Sequence, residues 1–155
     1  MYVFDTSSFV VLKNYYPARF ATLWQRLDAM VAAGELISVR EVLRELDAYN
    51  DTDFVQDWAK QNRDIFQAPS AAETQEVQKI LAVPHFQQIL SRQAVLKGTP
   101  VADPFVIAAA RVKGATVVTQ EQLKPNAAKI PNVCQYFGVD YCDLEGFMAS
   151  EGWSF

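Results

Sequence analysis

Several carboxylates in this chain stand where short apolar runs begin or end. Asp5 follows Tyr2-Val3-Phe4, Glu121 follows Val117-Val118-Thr119-Gln120, and Asp103 sits before Pro104 at the head of an apolar segment with three successive alanines. Glu41 and Glu45 are four residues apart in a segment with helical spacing that follows Leu36 to Val39, so they share one helix face. Gathered at one end of a parallel sheet, such groups repel one another, which raises their pKa values or demands a cation. Oxygen donors without imidazole or thiolate companions suit Mg²⁺ or Mn²⁺. An ion of that kind polarises a phosphoryl oxygen and generates a hydroxide nucleophile, the chemistry of phosphodiester hydrolysis. His85 is the sole histidine, which excludes metal sites that need two imidazoles, and no nucleophile elbow accompanies it. It reads as an ordinary surface residue of a helix.

The elements that must position these acids can be read in chain order. Tyr2 to Phe4 is a β-favouring run that ends at Asp5 and three hydroxyl residues. In open parallel sheets ligands bind outside the carboxyl ends of the strands, which makes Asp5 a site residue; the plainer alternative is a helix cap. Phe9 to Tyr16 continues as a short helix ending before Pro17. From Ala18 to Val31 apolar residues recur every three or four positions, and Gly34 closes that helix. Glu35 to Val39 is a second strand and Arg40 to Tyr49 a helix, whose Glu41 and Glu45 otherwise form a solvated face with Arg40 and Arg44. Asn50 to Asp53 is a polar break. A helical excursion follows, with a short extended piece at Ile65 to Ala68, a capping box at Ser70 to Glu73 and a turn opening at Pro84. Asp103 before Pro104 reads as N-cap and first helical residue. Ala115 to Thr119 is a strand, Lys124 to Asn132 a loop, Val133 to Phe137 a helix, Val139 to Cys142 a last strand, and Asp143 the cap of a final helix.

These elements predict one α/β domain spanning residues 1–155, a three-layer α/β/α arrangement around a mostly parallel sheet. Hydrophobic residues make up 50% of the chain and charged residues 21%, which is globular rather than disordered. No apolar run approaches the ~20 residues of a membrane span, and the start lacks a secretory signal, so a cytoplasmic location is expected. Cys134 and Cys142 are then a reduced, buried pair. The net charge of −4 argues against a broad nucleic-acid-binding face, unless metal masks the carboxylates and basic residues cluster at the site.

Four local words in order resemble the PIN-domain family: Phe-Asp-Thr-Ser at 4–7, Ser38 with the helix carrying Glu45, Ala-Asp-Pro-Phe-Val-Ile-Ala-Ala-Ala at 102–110, and Val-Val-Thr-Gln-Glu at 117–121. Within that superfamily the chain is most similar to the VapC-like toxins of type II toxin–antitoxin pairs, small metal-dependent endoribonucleases, and the similarity runs to about Asp143. The resemblance implies that Asp5, Glu45, Asp103 and Glu121 are the catalytic, metal-binding acids. Glu41, one turn before Glu45, is the alternative to it as ligand or shares its role. Glu121 stands where the family's Thr-x-Asp word has aspartate, and Thr119 matches its threonine. Thr6 and Ser7 match hydroxyl positions beside the first acid. Asp5 and Asp103 would hold a Mg²⁺ or Mn²⁺ ion, with Glu45 completing its shell or orienting the attacking water. Lys13, Arg19, Lys113, Lys124 and Lys129 are candidates for gripping an RNA backbone, each also readable as solvated surface. The family further implies a cognate antitoxin and a homodimer, for which the segments around Trp24, Trp58 and Phe86 offer surface. Two rival readings are a PIN-like module that binds without cutting and an aspartyl-phosphate domain of the receiver or phosphatase kind. The second lacks the required lysine after a late strand and the Asp-x-Asp word.

Overall fold

The computed structural model describes residues 1–49, 53–90 and 101–155; of the polar break expected at 50–53, residues 50–52 lie outside them. Strand β1 (Tyr2–Phe4) leads to helices α1 (Thr6–Leu12) and α2 (Ala21–Ala32). Then follow β2 (Leu36–Val39), α3 (Arg40–Ala48), α4 (Phe54–Gln61), a 3₁₀ turn at Arg63–Ile65 and β3 (Phe66–Gln67). Helix α5 (Ala71–Ala82), a 3₁₀ stretch at Pro84–Ile89 and α6 (Asp103–Lys113) precede β4 (Thr116–Val118). The chain ends with α7 (Ile130–Phe137), β5 (Tyr141–Cys142) and α8 (Leu144–Ser150).

The sheet has order β3-β2-β1-β4-β5 and every pairing is parallel. From β1 the chain moves outward to β2 and β3, then returns past β1 to β4 and β5, so the direction reverses between β1 and β4. In such sheets the crevice at the reversal, outside the carboxyl ends of the strands, is where ligands bind. Right-handed crossovers put α1 to α4 on one face and α5 to α7 on the other. Helix α8 returns to the first face, where Phe147 meets the rings of Tyr2 and Phe4 edge-on at 4.8 and 5.1 Å. Both faces are thus covered, and β2 is buried along its whole length, as a parallel sheet requires.

Helix α6 is the central support of the second face: Val106, Ile107, Ala108, Ala109 and Ala110 are all buried, and the helix touches β1, β2 and β4 while α5 and α7 flank it. Its alanines let backbones approach closely. Gly114 ends it at φ 63°, a left-handed conformation that glycine adopts without a Cβ penalty. At the head of α5, Ser70 Oγ accepts from Glu73 N, but Glu73 turns its own carboxylate to Lys113 instead of closing the capping box.

Two expectations are corrected. Trp24, Trp58 and Phe86 do not offer surface for a second copy, because all three are buried. The indoles pack 5.8 Å apart with Phe9 and Phe54 around them, and Phe86 stacks edge-on with Tyr136 at 5.1 Å. Large aromatic area is better satisfied in the core than left in water. Asp103 is not the N-cap of α6 either; Ala102 holds that position, and Asp103 is the first helical residue. Cys134 is buried and Cys142 half-buried, and both are free thiols; burial pushes them up to about 12 and 11, so neither is a ready nucleophile. His85 is exposed, in the 3₁₀ stretch rather than on an α-helix, with a ring nitrogen 3.3 Å from the Ala127 carbonyl. No helix of the described residues is long and apolar enough to cross a membrane.

The packing predicts a sharp contrast between aromatic residues. Phe147→Ala, at a fully buried ring, lowers stability by about 3–5 kcal/mol, whereas Phe155→Ala, at a ring 57% exposed, shifts it by less than about 0.5 kcal/mol; urea unfolding of the two variants measures both.

Candidate metal centre

Phe4 pairs with Val118 in the sheet, so Asp5 and Thr119 leave β1 and β4 side by side. Asp5 is buried, and three neighbours satisfy its carboxylate. Ser7 Oγ donates at 2.8 Å, Ser8 N–H at 2.9 Å and Thr119 Oγ1 at 2.7 Å. The contact with Ser8 N–H is the N-cap of α1, so the residue is helix cap and cleft wall together. Burial raises the Asp5 pKa, and the bonds from Thr119, Ser8 and Ser7 oppose that rise. Each hydroxyl is fixed in turn: Ser7 Oγ accepts from Gln120 N–H at 2.9 Å, and Thr119 Oγ1 from Glu121 N–H at 3.1 Å. Ser8 Oγ donates to the Val118 carbonyl and Ser38 Oγ to the Phe4 carbonyl, both at 2.7 Å, stitching the strand ends together.

Glu45 crosses from α3 to the same place. Its Oε2 accepts from Thr6 Oγ1 and its Oε1 from Ala102 N–H at 3.0 Å. A carboxylate from another helix thus serves the start of α6, which leaves Asp103 with no capping duty. Glu121 Oε2 accepts from Ile130 N–H at 2.8 Å, at the start of α7.

Asp5, Thr6, Ser7, Glu45, Asp103 and Glu121 line one open cleft of about 480 Å³, with Lys13, Asn14, Tyr49 and Gln120 on its walls. Asp103 shows the electrostatics most strongly. Its carboxyl is pushed from an ordinary 3.8 up to about 8, first by burial, then by Glu121, Asp5 and Glu45, with Lys129 pulling it back down. The acids are gathered but not closed: among the described residues no three carboxylate, imidazole or thiolate groups lie close enough to enclose an ion. The donor set is nonetheless all oxygen, the kind that suits a hard divalent cation.

Other sequence candidates lie elsewhere. Glu41 is buried with one oxygen paired to Arg40 at 3.0 Å and Oε2 without a partner among the described residues, and it does not line the cleft. Lys113 is ten residues along α6 from Asp103, about 15 Å of helix, and pairs with Glu73. Arg19 and Lys124 are exposed and outside the cleft wall, whereas Lys13 lines it and Lys129 lies within reach of Asp103's charge. The sequence reading passed over Ser8, Asn14, Tyr49 and Gln120. Ser8 stands three residues after Asp5, the N-cap spacing, and Tyr49 stands four after Glu45, on the same helix face; both signals were present.

The chain belongs to the DUF4411 family, a domain of unknown function, which matches it over residues 2–155. No curated protein matches it in sequence at significant similarity. Among solved structures, PAE2754 from Pyrobaculum aerophilum is 14% identical, over 96% of this chain and 94% of that one, with a TM-score of 0.47. VapBC2 from Rickettsia felis, bound to a DNA fragment from its promoter, is 16% identical over 92% and 97%, also with a TM-score of 0.47.

The direction of the Asp103 shift gives a prediction for the metal-free protein. The folded state keeps the Asp103 proton up to about pH 8, whereas the unfolded chain releases it near about pH 4. Between those values the folded state binds more protons, so stability falls as pH rises. Thermal unfolding in EDTA across that window shows the slope, and Asp103→Asn flattens it.

Proposed function

We propose that the cleft is the active site of a Mg²⁺- or Mn²⁺-dependent endoribonuclease of the PIN-domain kind, and that the protein is the toxin of a type II toxin–antitoxin pair. The observation that carries the nuclease reading is the gathering of Asp5, Glu45, Asp103 and Glu121 along one cleft at the sheet's reversal point. The toxin reading rests on the resemblance of the local sequence words to VapC-like proteins, which also carries the expectation of an antitoxin that covers the cleft and of a homodimer.

Asp5 and Asp103 would hold the ion, with Glu45 beside them. When bound, the ion polarises the scissile phosphoryl oxygen and lowers the pKa of its water. The chain's own part is positioning. Ser7, Ser8 and Thr119 keep the Asp5 carboxylate in one rotamer facing the cleft, and Thr6 and Ala102 N–H do the same for Glu45. Such held donors cost no reorganisation as the reaction proceeds. Lys13, which lines the cleft, and Lys129, whose charge reaches Asp103, would meet phosphates of the RNA, which would offset the acidity of the protein as a whole.

A second reading, a module that binds RNA without cutting it, is favoured by Glu121, whose Oε2 is already occupied by Ile130 N–H. One assay separates the two. End-labelled RNA incubated with the protein and Mn²⁺ is cut to products with 5′-phosphate and 3′-hydroxyl ends; EDTA stops the reaction, and Asp5→Asn slows it by about 100-fold or more, the scale of a lost metal ligand's several kcal/mol. Cleavage that survives EDTA, or an undiminished Asp5→Asn, removes the metal-centre reading, and binding without cleavage selects the second. The lysines provide a separate check. Lys13→Ala and Lys129→Ala each reduce the slope of log affinity against log salt by about one, and Lys113→Ala, paired away from the cleft, leaves it unchanged.

A further inference from the structure

Tyr49 is the C-terminal cap of α3 and is 53% exposed beside a cleft of charged groups. Its backbone is held from both sides: the amide donates to the Leu46 carbonyl at 3.2 Å, and its own carbonyl accepts from Gln56 Nε2 at 2.9 Å. Its ring has no aromatic partner and its hydroxyl no hydrogen bond among the described residues, although the protein's other aromatics cluster densely. Tyr49 lines the carboxylate cleft and also a small hollow next to it, floored by Phe9, Val10, Leu46 and Val55, with Lys13 at the boundary of the two. The hollow measures about 40 Å³, room for a water and not for a base, so what this wall offers a ligand is the exposed ring of Tyr49 itself. Glu45 and Tyr49 are one helical turn apart, about 6 Å along α3, the scale of a single nucleotide step.

We propose that Tyr49 is a stacking platform for an unpaired nucleobase next to the phosphate held in the carboxylate cleft, with Lys13 contacting the adjoining phosphate; this rests on the ribonuclease reading for the neighbouring phosphate site. Every base has a π-face that stacks on an aromatic ring, and the face is free only where the strand is unpaired. The subsite therefore selects single-stranded over duplex segments without reading sequence. Its ring, and not its hydroxyl, does the work.

The experiment measures binding of a short unpaired RNA carrying one 2-aminopurine to Asp5→Asn protein in Mn²⁺, where cutting is suppressed. Tyr49→Phe binds within about twofold of the parent, whereas Tyr49→Ala and Tyr49→Leu bind roughly 5- to 100-fold more weakly. In the last two the quenching of 2-aminopurine fluorescence is also lost; leucine keeps the apolar bulk, so its failure separates stacking from packing. Equal affinity of Tyr49→Leu and the parent, equal binding of the same sequence as a duplex, or no binding of the single strand by the parent overturns the proposal. Cleavage by the wild-type chain is scored separately: no cleavage with Tyr49-dependent binding removes only the nuclease reading, and cleavage with Tyr49-independent binding removes only the subsite.

Discussion

The structure around the cleft depends on one buried carboxylate. Asp5 has left water, and a charge in that position is tolerated only if its hydrogen-bonding capacity is met. The donors come from two strand exits at once, Ser7 and Ser8 after β1 and Thr119 after β4. The β1–β4 pairing, its register at Phe4 and Val118, and the turn of α1 must therefore all be in place before Asp5 can be buried. The Ser8 hydroxyl bond to Val118 and the Ser38 bond to Phe4 hold the same strand ends from the remaining sides. What would be an ordinary helix cap elsewhere is here the joint between two strands and the first wall of the site.

The remaining acids are arranged by a shared rule: each of three carboxylates in the cleft meets the start of a helix. Asp5 caps α1, Glu45 accepts from Ala102 N–H at the start of α6, and Glu121 accepts from Ile130 N–H at the start of α7. Unpaired N–H groups at a helix start carry partial positive charge and favour anions there. Three such starts converging on one crevice offset part of the repulsion that a cluster of carboxylates creates, which helps the chain fold with them together. Asp103 is the exception. It stands inside the first turn of α6 and has no such partner among the described residues, so burial first, and then the charges of Glu121, Asp5 and Glu45, raise its pKa, with Lys129 opposing them. The openness of the cluster follows from the same geometry, since carboxylates tied to separate helix starts are held apart.

Much of this was legible in the sequence because it is written locally. The strand exits at Asp5 and Thr119, the apolar α6 behind Asp103, and the glycines that close α2, α6 and α7 are all short-range signals, and the elements stand within a few residues of their expected bounds. The parallel sheet was legible from alternating short strands and helices. What was not legible depends on long-range contacts. Helical spacing puts Glu41 and Glu45 on one face, and only the packing of α1 against α3 decides that Glu45 turns to Thr6 while Glu41 is buried beside Arg40. The same holds for Ala102, whose N–H takes a cap from 57 residues away and so shifts Asp103 one place into the helix. The segments around Trp24 and Trp58 read as surface for a second copy, whereas the two rings pack on each other in the core.

Glu121 can be understood in these terms as well. From a residue whose backbone N–H is fixed on Thr119, its carboxylate spans to the start of α7. The loop between β4 and α7, which has no regular structure from Thr119 to Lys129, is thereby tied at both ends to the same cleft. That tie also fixes the start of the helix that Lys129 caps, and with it the lysine whose charge opposes the repulsion on Asp103. A carboxylate that organises a loop and places a cation beside the cluster shapes the field in the cleft whether or not it touches a bound ion itself.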